Sequence, residues 1–315
     1  MPSFLIVGST GNTGGGVLQH LAEVLPQSER FSKYRIIGLT RDTNGAKAKE
    51  LAKLPRVDMV AKNWTMIDSA WLRDHEVERI FIASHNEATH FTDESLFFNH
   101  ALAAGVKYAV RISTTPVNVG PTTPVYYGRN HWAIENMLEQ PEFKALQWTS
   151  LQPAVFISMF SDPAKYWVSK FKKDGSKDPY KLICDGDHPV APINSLEVGL
   201  IAGKLLALDD VSAHASQKYC LNGPQNATGK DIIKLVEKHS GTTVDDVNFC
   251  DTSFTEYARA AGTPENILPS LALAPRGGYK GQTSVENMPT SPAILKLHTF
   301  QNGILDTIEA ELSKI

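Results

Sequence analysis

The 315-residue sequence predicts an α/β protein built on a doubly wound parallel sheet, with a smaller, mostly helical C-terminal lobe. Three observations carry this. The first half alternates short, continuous apolar runs with helical stretches; the first run ends in a glycine-rich turn; and beyond about Gln152 the alternation loosens. Continuous apolar runs suit parallel strands covered on both faces, and parallel neighbours need crossover connections, usually helices.

The apolar runs predict strands at 3–7, 34–40, 57–61, 79–83, 108–112 and 149–151. The stretches between them predict helices at 14–24, 46–54, 68–75, 94–104 and 131–140. Beyond these lie a Lys/Asp-rich polar stretch at 170–181 and helices at 195–208 and 228–240. A Pro/Gly-rich segment at 264–289 and a terminal helix at 291–312 follow, the latter with Pro292 in its first turn, where a missing N–H costs nothing. The organisation expected is a nucleotide-binding domain over 1–156, a later segment around 190–222 returning to it, and a smaller lobe over 157–315.

With 31 basic and 34 acidic residues, the net charge of −3 gives no pull toward nucleic acid or an anionic membrane surface. No apolar run approaches a membrane span, and the start of the chain lacks the basic region of a secretory signal. The three cysteines, Cys184, Cys220 and Cys250, are odd in number and far apart, which argues against a disulfide framework or a metal knuckle. A reduced, cytoplasmic setting is expected, or a nuclear one for a regulator.

In "FLIVGSTGNTGGGVLQHL" (residues 4–21), Gly8, Gly11 and Gly14 form GxxGxxG directly after a strand and at the opening of a helix. Gly8 would turn the chain, Gly11 would let the backbone approach a pyrophosphate, and Gly14 would bring the helix close to the sheet. The helix N-terminus then faces the phosphates. These are the marks of a Rossmann-like dinucleotide site. Which dinucleotide depends on the end of the second strand, where "LTRD" presents Arg41 and Asp42, with Lys47 on the next turn. Arg41 offers a planar fork suited to a 2′-phosphate, which favours NADP(H); Asp42 is the opposing signal.

The chain resembles the NmrA-like group of atypical short-chain dehydrogenases/reductases over nearly its whole length. The matching stretches are "VGSTGNTGG", "LTRD", "AGVKYAVRIST", "TSLQPAVF", "PINSLEVGLIAGKLL" and "CLNGPQNATGKDIIKLVEKHSG". The resemblance implies NADP(H) across the carboxyl edge of the sheet, with Gly8, Thr10, Gly11, Asn12, Thr13 and Gly14 lining the pyrophosphate. It implies Arg41 and Lys47 at the 2′-phosphate, and Ser84 and His85 on the ribose–nicotinamide side. Ser113 and Thr114 would lie beside the nicotinamide, with Pro153 to Phe156 near the carboxamide.

Short-chain dehydrogenases/reductases use a tyrosine activated by a lysine four residues on, with a serine polarising the substrate carbonyl. Here Ser113 is followed by "YYGRNHW", so Tyr127 and His131 form YxxxH. Histidine is not a permanent cation at neutral pH. His131 is therefore a proton donor or a ribose ligand, and Tyr127 a donor lacking its usual activation. The structural alternative makes Tyr126 and Tyr127 packing residues and His131 a helix cap. Trp64, Trp132, Phe156 and Met159, with the two tyrosines, either wall a pocket for an aromatic substrate or belong to the core. No metal is expected: His85, Glu87 and His90 lack a ligand spacing, and the 184–189 stretch "CDGDHP" reads as a turn.

Two functions follow. One is an NADPH-dependent reductase of a small carbonyl, quinone or enone. The other is an NADP(H)-sensing regulator that acts on a protein partner without turnover.

Overall fold

In a computed structural model describing residues 1–315, the first apolar run forms strand β1 (Ser3–Val7), buried along its length. The chain continues through α1 (Gly14–Val24), β2 (Arg35–Thr40), α2 (Ala46–Leu51), β3 (Val57–Ala61), α3 (Ser69–Asp74) and β4 (Val77–Ile82). Next come α4 (His90–Ala104), β5 (Tyr108–Ile112), α5 (Tyr126–Leu138), β6 (Gln147–Pro153), α6 (Ser158–Asp174) and β7 (Tyr180–Lys181). The last third holds α7 (Ser195–Ala207), β8 (Gln217–Leu221), α8 (Gly229–Ser240), β9 (Val247–Asn248) and four short helices. These are α9 (Phe254–Ala260), α10 (Leu268–Leu271), α11 (Pro292–Leu297) and α12 (Ile304–Leu312).

Two compact units result. The first comprises Met1–Thr114, Arg129–Gln152 and Ser195–Tyr219; the second comprises Thr115–Gly128, Pro153–Asn194 and Cys220–Ile315.

The seven-stranded sheet has the order β3-β2-β1-β4-β5-β6-β8, with parallel pairing from β3 through to β6. The expected Rossmann-like α/β fold is therefore present. The order reverses between β1 and β4, and ligands of such sheets bind outside the strand carboxyl ends at that reversal. One face is sealed by Phe97, Phe98, Leu72, Ile134 and Trp148, all nearly inaccessible. Each such aromatic contributes on the order of 2–3 kcal/mol of burial free energy. The second unit has its own core around Phe160, Trp167, Ile232 and Ile308, with β7 and β9 as a two-stranded parallel sheet.

The sequence reading names no strand at β7, β8 or β9 and no helix over the first part of α6, and it starts α4 at 94 where the helix begins at His90. Three further differences have a visible cause. Helix α5 starts at Tyr126 and not at 131, and carries Gly128 in its first turn. Glycine disfavours helix, but a Cβ there would lie 1.9 Å from the Asn118 carbonyl oxygen, so only glycine fits. The terminal helix is two helices: His298 is extended (φ −146°, ψ 137°), and Gln225 accepts the Leu305 N–H at 2.8 Å to start α12. The polar stretch at 170–181 opens as the exposed end of the 17-residue helix α6, which tolerates Pro163 in its second turn.

Candidate functional site

The glycine turn is built by exclusion of side chains. Gly8 has φ +79°, the left-handed region that glycine adopts without strain, and accepts the Gly11 N–H at 2.9 Å. A Cβ on Gly14 would lie 2.2 Å from the Gly8 carbonyl oxygen, and one on Gly8 would lie 2.9 Å from that of Ala83. Ser9 Oγ donates to the Leu39 carbonyl at 2.6 Å, tying the turn to β2. Gly11 and Asn12 face solvent, Thr10 is half-buried, and Thr13 is buried as the N-cap of α1. The first turn of α1 carries no acidic side chain, so its dipole is uncompensated toward an anion. Gly16 serves packing instead, since its Cβ would lie 2.8 Å from the Leu196 carbonyl, and that of Gly199 would lie 2.2 Å from the Thr13 carbonyl. Helices α1 and α7 therefore cross with their backbones in contact.

At the end of β2, Arg41 is exposed and forms no ion pair. Asp42 spends one carboxylate oxygen on the Asn44 N–H, at 2.8 Å, and closes its own loop. Lys47, on α2, pairs with both oxygens of Glu50 at 3.2 Å; its Cε lies 3.8 Å from the Cβ position of Gly15.

A buried polar cluster lies beyond β4. Arg111, fully buried in the middle of β5, donates from Nε to Glu94 Oε1 at 2.7 Å and from Nη1 to Ser150 Oγ at 3.0 Å. Its Nη2 donates to His131 Nδ1 at 2.8 Å. Glu94 Oε2 accepts from Ser84 Oγ at 2.6 Å and from His90 Nε2 at 2.8 Å. Glu135 accepts from Ser150 Oγ at 2.7 Å and from Gln152 at 3.2 Å, and lies 3.5 Å from Arg111 Nη1. Burial alone would raise the pKa of Glu94; Arg111 and His90 outweigh it and hold the carboxyl far below the usual range. Burial, followed by the charge of Arg111, pushes the His131 imidazole well below its ordinary value.

His131 is thus neutral. A guanidinium can only donate, so Nδ1 is the acceptor and Nε2 carries the proton, facing Asn86 Oδ1 at 3.1 Å. Both ring nitrogens, considered in the sequence for proton donation or ribose binding, are engaged inside the first unit. Ser84 belongs to the same cluster, whereas His85 is exposed. Ser113 ends β5 with its N–H donated to the Leu151 carbonyl at 2.7 Å; its Oγ is buried with no hydrogen-bond partner. Thr114 beside it is half-buried.

Tyr127, Pro153 and Phe156 fall in the second unit. Tyr127 is half-buried, edge-on to Tyr126 with ring centroids 5.5 Å apart. Phe156 forms a parallel bridge with Ile193, and Pro153 is buried at the end of β6. Of the candidate pocket aromatics, Trp64 packs on the core, edge-on to Phe97 at 5.7 Å. Cys184 is inert, its thiol pushed up to about 12 by burial.

Glu94, Arg111, Glu135, Ser150, Gln152 and Asn86 were not singled out in the sequence. One signal was available: an arginine inside "YAVRI", a central strand buried on both faces, must find a buried counter-charge.

No protein-family model matches the sequence, nor does any curated protein. Solved structures match the fold along nearly the whole chain. Triphenylmethane reductase from Citrobacter sp., complexed with NADP(H), is 19% identical, with 98% of this chain and 99% of that chain covered and a TM-score of 0.69. An NADPH-dependent quinone oxidoreductase from Escherichia coli is 21% identical, with 98% of each chain covered and a TM-score of 0.67. A UDP-glucuronic acid 4-epimerase from Bacillus cereus, in complex with UDP-glucuronic acid and NAD, is 14% identical. Its alignment covers 99% of this chain and 98% of that chain, with a TM-score of 0.66. At such identities the likeness establishes the fold.

Proposed function

We propose that this protein is an NADP(H)-dependent reductase of the atypical short-chain dehydrogenase/reductase type, in the NmrA-like group, acting on a small carbonyl, quinone or enone. The observation that carries the reading is the glycine turn. At Gly8 and Gly14 a Cβ would strike backbone, and the turn opens α1 at the strand-order reversal of the sheet. The residues present fit the cofactor. Gly11, Asn12 and the start of α1 would hold the pyrophosphate, and Arg41, with no ion pair to break, would hold the 2′-phosphate with help from Lys47. When bound, the nicotinamide supplies the hydride. NADP(H)-complexed and NADPH-dependent reductases of the same fold support this choice.

The chain's own residues take distinct parts. Ser113 offers a buried hydroxyl without a protein partner, suited to donate to a substrate oxygen. His131, neutral with both nitrogens occupied, is a poor proton donor. Tyr127, one turn earlier on α5, is the donor in this reading, and a quinone could instead take solvent protons.

The test is titration of intrinsic tryptophan fluorescence with NADPH, NADP, NADH and NAD, followed by NADPH oxidation across quinones, enones and aldehydes. Arg41→Ala should weaken NADPH binding about 10- to 100-fold, the worth of a charge-assisted hydrogen bond, and leave NADH unchanged. Equal effects on both cofactors would refute the 2′-phosphate assignment. Binding without turnover of any acceptor would refute the reductase and leave the cofactor-sensing regulator.

A further inference from the structure

The loop between β4 and α4 is pinned from below at three points. Ser84 Oγ donates to Glu94, Asn86 Oδ1 accepts from His131, and His90, the first residue of α4, donates to Glu94. The intervening His85, Glu87, Ala88 and Thr89 face solvent. All three anchors converge on one ion pair, Glu94 with Arg111, both fully buried. The loop also begins beside the glycine turn, since Ala83 is the residue that Gly8 abuts.

An imidazole can bind Asn86 Oδ1 only if its Nε2 carries the proton. Nothing intrinsic to histidine fixes that tautomer; the hydrogen bond at the other nitrogen does. That bond comes from Arg111, whose position in turn is set by Glu94 on α4 and Ser150 on β6.

We propose that Arg111 is a positioning residue: it fixes His131 as the Nε2–H tautomer, and that proton ties Asn86 and the loop from Ser84 to Thr89 to helix α5. The loop is thereby held at the carboxyl edge of the sheet next to the glycine turn. That this edge receives the cofactor rests on the function proposed above; the tautomer and the anchoring of the loop do not.

The groups around the His131 ring include Arg111 at Nδ1, Asn86 at Nε2, the edge-on His90 ring with centroids 4.6 Å apart, and Glu94 behind Arg111. In the unaltered protein, long-range ¹H–¹⁵N NMR of the imidazole should show a neutral, Nε2-protonated ring from pH 5.5 to 8. An Nδ1-protonated ring, or one that gains a second proton in that range, overturns the proposal.

The loop is read by hydrogen exchange. In His131→Phe the amides of residues 85–89 should exchange about three- to tenfold faster than in the parent, the worth of one net hydrogen bond. His131→Gln, whose amide can donate to Asn86, should restore most of the protection. Unchanged exchange in a folded His131→Phe protein, or a His131→Gln protein no better protected than His131→Phe, defeats the anchoring. Neither readout needs NADPH. Failure to bind cofactor would therefore count against the proposed function and leave the loop result intact.

Discussion

Acidification from pH 6.5 to 5 should destabilise this protein through His131. Its imidazole is fully buried, with Arg111 Nη2 2.8 Å from Nδ1, so protonation is disfavoured by lost hydration and by the guanidinium. The unfolded chain restores an ordinary histidine with a pKa near 6.5. Below that pH the unfolded state binds a proton that the native state refuses, so stability rises with pH and falls on acidification. The slope approaches about 1.4 kcal/mol per pH unit from this one residue, which integrates to at most about 1.6 kcal/mol between pH 6.5 and 5 because the unfolded imidazole is only half protonated at the upper end. The assay is urea denaturation at pH 7.5, 6.5, 5.5 and 5 for the parent and for His131→Gln, comparing the two stability curves. His214, also shifted downward by burial, contributes with the same sign to both proteins and cancels. Glu94 has a depressed pKa, so its stabilisation is present above its ordinary value of 4.5 and lost only as the pH falls below it. Parallel curves across this window would refute the burial of a neutral imidazole.

The other predictions concern packing and charge. Gly14→Ala places a methyl group 2.2 Å from the Gly8 carbonyl, and should cost about 3 kcal/mol in denaturant unfolding and abolish NADPH binding. Asn222 is buried, with its amide nitrogen 2.8–3.2 Å from the carbonyls of Thr283, Ser284 and Met288; Asn222→Ala should cost about 2 kcal/mol. It should also expose the 283–290 segment to proteolysis. His131→Lys puts an ammonium against the Arg111 guanidinium and should cost about 3 kcal/mol or more, with no gain in NADPH oxidation.

Most of the sheet was legible because parallel strands covered on both faces must be apolar throughout. Strands β1 and β5 have the bounds their apolar runs predict, and so does β3, although it lies at the sheet edge and is only partly covered. The reading failed where tertiary contact overrode local preference. Gly128 argues against helix by its propensity, yet sits in one, and it is glycine because the Asn118 carbonyl leaves no room for a side chain. Residues 291–312 look like one helix until Gln225, remote in sequence, accepts the Leu305 N–H in the first turn of a second helix that starts at Ile304. The glycine turn was readable from spacing because its constraint is local, whereas the partners of Arg111 come from α4, α5 and β6 and share no motif. Asp42 shows the same limit on a smaller scale. In sequence it opposes Arg41 as a ribose-binding signal, whereas in the fold one of its carboxylate oxygens accepts the Asn44 N–H and closes the loop.

The choice of histidine at position 131 becomes intelligible only through position 111. Viewed along the sequence, YxxxH is a tyrosine motif that lacks its lysine. In the fold, a lysine there would bring a second buried cation to within hydrogen-bonding distance of a guanidinium already balanced by Glu94 and Glu135. Arg111 needs an acceptor at that point, and a neutral imidazole is one that still has a proton to give on its far side. The two positions are therefore coupled: arginine in the fifth strand excludes a cation at 131 and makes the histidine a link between helix and loop. Under the proposed function, acid chemistry would then fall to Tyr127, to Ser113 through the substrate, or to water. For the reductase proposed above, acceptors such as quinones, which need no enzyme proton at the moment of hydride transfer, would suit this arrangement.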